Sequence, residues 1–156
     1  MYEIIVQRIV VSKTVPAATH FKRWARTALK DKIPHAELTI RIVDEHEITE
    51  LNSTYRHKNK PTNVLSFPFD IPKELEDEIP LLGDIVICSS VIEEEALAQD
   101  KPLEAHWAHM VVHGVLHLLG YDHEKDNEAE IMETEEIMIL KQLGFNNPYQ
   151  VNEEGK

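Results

Sequence analysis

A cluster of histidines is the feature of this chain best suited to chemistry. The 156 residues include nine histidines. His113, His117, Gly120 and His123 form the pattern H-x-x-x-H-x-x-G-x-x-H. On a helix, His113 and His117 lie one turn apart, about 6 Å along the axis, so both can bind one ion through bonds of about 2.0–2.1 Å. Gly120 allows the positive φ that ends the helix and turns the chain back, which brings His123 to the same ion. The pattern predicts a metal site.

The predicted site has an open coordination position. Structural zinc is normally enclosed by four protein ligands, often thiolates. Here the one cysteine, Cys88, lies 25 residues before His113 in a predicted buried strand. Three neutral imidazoles leave the charge of a zinc ion uncompensated and one position free for water or substrate, which favours catalysis. We expect one Zn²⁺ per chain, although imidazole also suits copper, nickel and iron.

The spacing matches the long metzincin zinc signature, with one departure. A metallopeptidase carries its general-base glutamate directly after the first ligand, and this chain has Gly114 there. A zincin-like metallopeptidase or amidase is therefore the weaker alternative.

Three further residues near the motif have two interpretations each. His106 and His109 precede the ligands on the same stripe of the helix. They could support the metal site or handle protons, or they could be core residues bonded to carbonyls. Asp122 could fix the tautomer of His123, or it could cap the loop.

A short basic segment is the candidate substrate-binding region. Arg56, Lys58 and Lys60 fall within five residues. A guanidinium can pair bidentately with phosphate oxygens, so Arg56 is the candidate phosphate-binding residue, and Lys58 and Lys60 would follow the backbone of a polyanion. The alternative is a solvated turn.

Hydrophobic periodicity predicts the elements that must position these residues. Four strands are expected near residues 2–11, 38–43, 64–67 and 81–88, and five helices near 16–30, 44–52, 90–99, 102–119 and 127–143. No helix separates the third and fourth strands, which favours an α+β fold over a doubly wound one. We expect a single domain spanning residues 1–156, with about four strands packed against about five helices and a buried histidine-bearing helix.

Three local details complete these expectations. Asp44 and Glu47 have capping-box spacing at the start of the second helix. Ser90 and Glu93 have the same spacing at the third helix. The last helix is expected to bury a stripe made of Ile131, Ile137, Met138 and Leu140.

The charge of the chain is unevenly distributed. The net charge is −12, but residues 1–65 hold 11 basic and 7 acidic side chains, whereas residues 66–156 hold 5 and 21. Such a chain does not attract nucleic acid through bulk charge, so a polyanion must meet a local basic patch. No apolar run approaches about 18 residues, and the start lacks a signal-peptide pattern. We expect a cytoplasmic protein with no membrane partner.

Three motifs carry a family resemblance that covers essentially the whole chain. They are HGxxHLxGYDH at 113–123, LNxxYRxKxKPTNVLSFP at 51–68 and LGDIxI at 82–87. Together they resemble the YbeY family of bacterial rRNA-maturation endoribonucleases. The resemblance implies a small mixed sheet with surrounding helices and a zincin-like central helix that bears the first two metal ligands.

The resemblance also implies a function. The family is composed of cytoplasmic, metal-dependent, single-strand-specific endoribonucleases that act in 3′-end maturation of small-subunit (16S) rRNA and in ribosome quality control. Zinc would bind the histidines matching His113, His117 and His123, and Arg56 matches an arginine implicated in activity. The implied partners are single-stranded RNA or pre-rRNA and small-subunit components of the ribosome. A ribosome-assembly factor that binds these partners around a structural metal is the second alternative.

Overall fold

The computed structural model describes residues 1–75, 78 and 80–149. Within them the four strands and five helices expected from the sequence are present, so the α+β prediction is confirmed. The elements are β1 Tyr2–Arg8, α1 Ala18–Leu29, β2 Ala36–Val43, α2 Glu45–Arg56, β3 Val64–Pro68, β4 Leu81–Cys88, α3 Ser89–Ala98, α4 Leu103–Leu118 and α5 Asp126–Gln142. A short 3-10 turn, Lys73–Leu75, lies between β3 and β4.

The sheet is mixed and has the strand order β1-β2-β4-β3. β1, β2 and β4 are parallel, and β3 pairs with β4 in the antiparallel direction. β3 is therefore an edge strand, which suits Pro68 at its end because proline cannot donate to the ladder.

Side chains alternate along β4 between two hydrophobic clusters. Ile85 and Ile87 contact the larger cluster, which includes the buried faces of α1, α4 and α5. Val86 and Cys88 contact the smaller one, which includes Ile48 of α2. This is the two-residue period of a strand buried on both faces, and the fully buried Cys88 agrees with its predicted place in the core.

The central helix α4 lies directly on the sheet. A Cβ atom at Gly114 would come within 2.8 Å of Ile85 Cγ2 on β4, so this helix position faces the sheet at very close range. On the neighbouring strand, the Ser66 hydroxyl donates to the Gly114 carbonyl at 3.3 Å. Among the described residues, no helix combines the length and apolarity needed to cross a bilayer.

The structure buries a different face of α5 from the one expected from the sequence. Ile131 is 56% exposed and Met138 54% exposed, Ile137 is partly buried, and Leu140 alone is buried as expected. The buried side chains of this helix are Met132, Glu136, Ile139 and Leu140. The prediction failed because the stripe includes a carboxylate, Glu136, where an assignment by hydrophobicity expects an apolar residue.

Of the two predicted side-chain caps, one is confirmed and one is wrong. Asp44 Oδ1 accepts a hydrogen bond from the Glu47 backbone N–H at 2.9 Å. α3 instead follows β4 without a loop and has Cys88 at its N-cap. Ser90 is therefore inside the first turn, where its hydroxyl donates to Glu45 Oε1 at 2.9 Å.

Candidate metal centre

The end of α4 brings the three predicted ligands together. His113 and His117 occupy the last two turns of the helix. Gly120 has φ +99°, and the Gly120 and Tyr121 amides donate to the carbonyls of His117 and Leu116, both at 3.0 Å. These bonds close the helix end and reverse the chain, so that His123 returns towards the helix.

The nitrogen atoms of the three rings have the spacing of a ligand set. One ligand atom from each of His113, His117 and His123 lies within 4.8 Å of the others. The Nε2 atoms of His113 and His117 are 3.1 Å apart, close to the ~3.3 Å edge of a tetrahedron with zinc–nitrogen bonds of about 2.05 Å. The donor set therefore fits a transition-metal ion such as zinc.

The electrostatics of His117 favour the metal-binding form. Burial, and to a smaller extent the neighbouring His113 and His123, lower its pKa to about 4. The ring is therefore neutral at pH 7, and a neutral imidazole is the form that binds a metal.

Glu136 of α5 is a functional residue that the sequence analysis missed. Its side chain is fully buried, and Oε2 accepts from His113 Nδ1 at 2.7 Å. Burial alone would raise the pKa of this carboxyl, but hydrogen bonds from His109 and His113 lower it to about 2. The ionised carboxylate holds the proton of His113 on Nδ1 and leaves Nε2 free for a metal. The sequence carried no signal for it, because the expected buried stripe of α5 did not include Met132 or Glu136.

His106 and His109 lie beside carboxylates, and among the described residues neither ring forms a hydrogen bond to a carbonyl. His106 Nε2 lies 2.9 Å from Glu95 Oε1, and burial lowers the pKa of this histidine. His109 Nε2 lies 3.4 Å from Glu136 Oε2. His109 therefore shares a carboxylate with the ligand His113, whereas His106 belongs to a separate contact with α3.

Asp122 caps the loop. Its Oδ1 accepts from the His123 backbone N–H at 2.7 Å, whereas the His123 ring Nδ1 is 3.9 Å away. That ring distance is too long for a hydrogen bond.

The basic segment lies on an exposed turn. Arg56 is the last residue of α2, and Lys58 and Lys60 follow it, all exposed. Asn52 fixes the turn, because its amide donates to the Lys60 carbonyl at 2.8 Å. In residues 1–75, 78 and 80–149, none of these three side chains forms an ion pair with a carboxylate. None of them forms a hydrogen bond to the three histidines of the triad either. Their side chains are available to an anion from solution.

The arrangement leaves room at a metal for another ligand. Within the described part of the chain, the only cluster of potential metal ligands is this histidine triad. A tetrahedral zinc site with three protein ligands keeps its fourth position for water or substrate. His113 and His117 are partly buried and His123 is exposed, so the triad lies at the boundary between the protein interior and solvent.

Comparisons with known proteins identify the family of the chain. A family model described as endoribonuclease YbeY matches residues 9–144. The chain is also similar to TM1509 from Thermotoga maritima, whose structure was solved in solution, at 28% identity and a TM-score of 0.59. That similarity covers 100% of this chain and 99% of the Thermotoga chain.

Proposed function

Since the chain belongs to the YbeY endoribonuclease family, whose members are hydrolases of rRNA processing, we propose that it is a metal-dependent endoribonuclease that cuts single-stranded RNA. The observation that carries the metal dependence is the convergence of His113, His117 and His123 within 4.8 Å. One zinc ion per chain is the cofactor that this donor set fits best.

Each ligand histidine would contribute a neutral ring nitrogen. A zinc ion held there would polarise a phosphate oxygen or acidify a water molecule. The low pKa of His117 keeps its ring unprotonated, and Glu136 holds the proton of His113 on Nδ1, away from the other two rings.

Arg56 would hold the phosphate of the RNA. Its guanidinium is exposed at the end of α2, and a planar donor fork can neutralise charge that develops on phosphate oxygens. Lys58 and Lys60, on the turn fixed by Asn52, would bind the RNA backbone and not the reacting phosphate.

The substrate and setting follow from the family. We propose 3′-end maturation of small-subunit rRNA and ribosome quality control in the cytoplasm, with pre-rRNA and small-subunit components as partners. The family's role in rRNA processing supports this assignment.

Cleavage of a single-stranded RNA by purified protein tests the proposal. We expect His117→Ala and Arg56→Ala each to reduce the cleavage rate by roughly 100-fold or more, the usual effect of removing one charge-stabilising group. The matched controls are His46→Ala and Arg23→Ala, which remove exposed side chains of the same types elsewhere. Equal cleavage by the parent and both test variants would contradict the proposal.

The peptidase alternative is disfavoured by the packing of Gly114. A side chain there would collide with Ile85 on the sheet, so the position cannot present a general base without displacing the Ile85 side chain or the helix. A panel of unstructured peptides incubated with the zinc-loaded protein should show no hydrolysis.

The assembly-factor alternative makes the metal purely structural. It predicts that a folded, metal-free variant still supports ribosome assembly. Our proposal predicts that such a variant leaves rRNA ends unprocessed.

A further inference from the structure

The segment after α5 places a tyrosine against the metal centre. The Tyr149 hydroxyl donates to Glu136 Oε1 and lies 3.2 Å from His109 Nε2. Its ring packs edge-on against the His109 ring, with centroids 5.3 Å apart. Tyr149 lies in the C-terminal segment, beyond the residues 9–144 matched by the family model.

The segment that carries Tyr149 is fixed at several points. Gly144 has φ +91°, and the Phe145 amide donates to the Leu140 carbonyl at 2.8 Å, which closes the end of α5. Lys101 Nζ donates to the Pro148 carbonyl at 2.6 Å. Together with the contacts of Tyr149 itself, these bonds place the tyrosine between Glu136 of α5 and His109 of α4.

The two oxygens of Glu136 serve different partners. Oε2 accepts from His113, and Oε1 accepts from Tyr149. The terminal torsion of a glutamate is soft and roughly two-fold, and both histidines, His113 at 2.7 Å and His109 at 3.4 Å, contact the same oxygen, Oε2. The bond from Tyr149 is the contact to the other oxygen, Oε1. It therefore fixes the carboxylate plane and hence the direction from which Oε2 meets the His113 ring.

We propose that Tyr149 and Glu136 are positioning residues for the metal centre, which together fix the tautomer and orientation of His113. Through this Tyr149–Glu136–His113 relay, the C-terminal segment becomes part of the site. The inference rests on the metal centre of the proposed function, and it adds two residues that touch neither metal nor substrate. Groups of this kind typically change metal affinity by 10–100-fold when they are removed.

Titration of the metal-free full-length chain with Co²⁺ tests the relay. The visible spectrum of bound Co²⁺ reports both affinity and ligand geometry. We expect Tyr149→Phe, which keeps the ring and removes the hydroxyl, to weaken Co²⁺ binding roughly 10-fold and to alter the spectrum. Glu136→Gln should weaken binding by 10–100-fold. Because Tyr149 acts through Glu136, Tyr149→Phe should have no further effect in the Glu136→Gln background.

The matched control is Tyr2→Phe. It also removes a tyrosine hydroxyl from a hydrogen bond, here to the Ile33 carbonyl at 2.6 Å, and it should leave Co²⁺ affinity unchanged. Parent-like affinity and spectrum in Tyr149→Phe, or an equal loss in Tyr2→Phe, would overturn the relay and leave the metal centre intact. A parent protein that binds no Co²⁺ would overturn both proposals. Should Glu136→Gln fail to fold, the comparison of the two phenylalanine variants decides alone.

Discussion

The three candidate ligand histidines differ in what surrounds their rings. His113 is paired with the ionised Glu136, whereas His117 is partly buried beside two other imidazoles. Burial and those neighbours lower its pKa from 6.5 to about 4. The folded state therefore takes up a proton on His117 less readily than the unfolded state does.

This difference predicts a loss of stability in mild acid for the metal-free protein. The contribution of His117 is complete above its unfolded pKa of 6.5 and is lost as the pH falls towards the folded value of about 4. Between pH 7 and pH 5, the loss of this contribution should lower the unfolding free energy by about 2 kcal/mol. Glu136, with a pKa lowered to about 2, loses its contribution only below about pH 4.5. Urea denaturation with a chelator present measures the effect.

The matched variant is His117→Asn, which cannot be protonated in this range. Its unfolding free energy should fall by about 2 kcal/mol less than that of the parent between pH 7 and pH 5. An identical decline in the two proteins would show that His117 is not the group responsible.

For individual residues of the site, the sequence was informative where the contact joins residues that are close together in the chain. His113, His117, Gly120 and His123 were identified because one helical turn and one glycine reversal determine their geometry. Glu136 was not, because its bond to His113 joins two helices 23 residues apart in sequence. No periodic pattern identifies such a partner before the packing of α4 on α5 is known.

Among the elements, the contact between α4 and β4 depends on Gly114. A Cβ there would lie 2.8–3.3 Å from three Ile85 atoms. Although alanine favours a helix by up to about 1 kcal/mol, the overlap should dominate, so we expect Gly114→Ala to destabilise the protein by about 1–2 kcal/mol. Thermal unfolding measures it. In an Ile85→Ala background the same change should become neutral or stabilising, and an undiminished cost there would contradict the steric explanation.

The corrected face of α5 gives a second prediction. Ile139 is 4% exposed and Ile131 is 56% exposed on the same helix. Ile139→Ala should therefore cost about 2–4 kcal/mol of unfolding free energy, and Ile131→Ala less than about 0.5 kcal/mol. Denaturant unfolding of the two variants measures both losses of unfolding free energy. A larger loss in Ile131→Ala than in Ile139→Ala would support the buried face expected from hydrophobicity.

The existence of the elements was predictable, but their arrangement was not. Hydrophobic and capping patterns predicted the four strands and the five α-helices near their observed positions, and Asp44 marked one helix start. The strand order β1-β2-β4-β3 depends on pairing between distant segments, which local patterns do not record. α2 also ends one turn later than the expected residue 52, so Arg56 is the last residue of the helix.

For the whole molecule, electrostatics determine how RNA can approach. With a net charge of −12, the protein repels a polyanion except near local cations such as Lys58 and Lys60. We expect the double variant Lys58→Ala/Lys60→Ala to bind single-stranded RNA more weakly and to lower the slope of log affinity against log salt by about 1 or more. Filter binding across a salt series measures the slope.

The control replaces two exposed lysines away from the basic segment. Lys13→Ala/Lys141→Ala changes the net charge by the same amount and should leave the salt slope unchanged. Equal effects of the two double variants would indicate that bulk charge, and not the turn after α2, governs RNA binding.

The metal content of protein purified without an affinity tag is the most direct test of the account. Because one atom from each of His113, His117 and His123 lies within 4.8 Å of the others, the folded parent should contain one zinc ion per chain by elemental analysis. His117→Ala should be folded and nearly metal-free, and His46→Ala should match the parent. A parent that stays metal-free in the presence of zinc, or a His117→Ala variant that retains the full amount, would contradict the three-histidine centre.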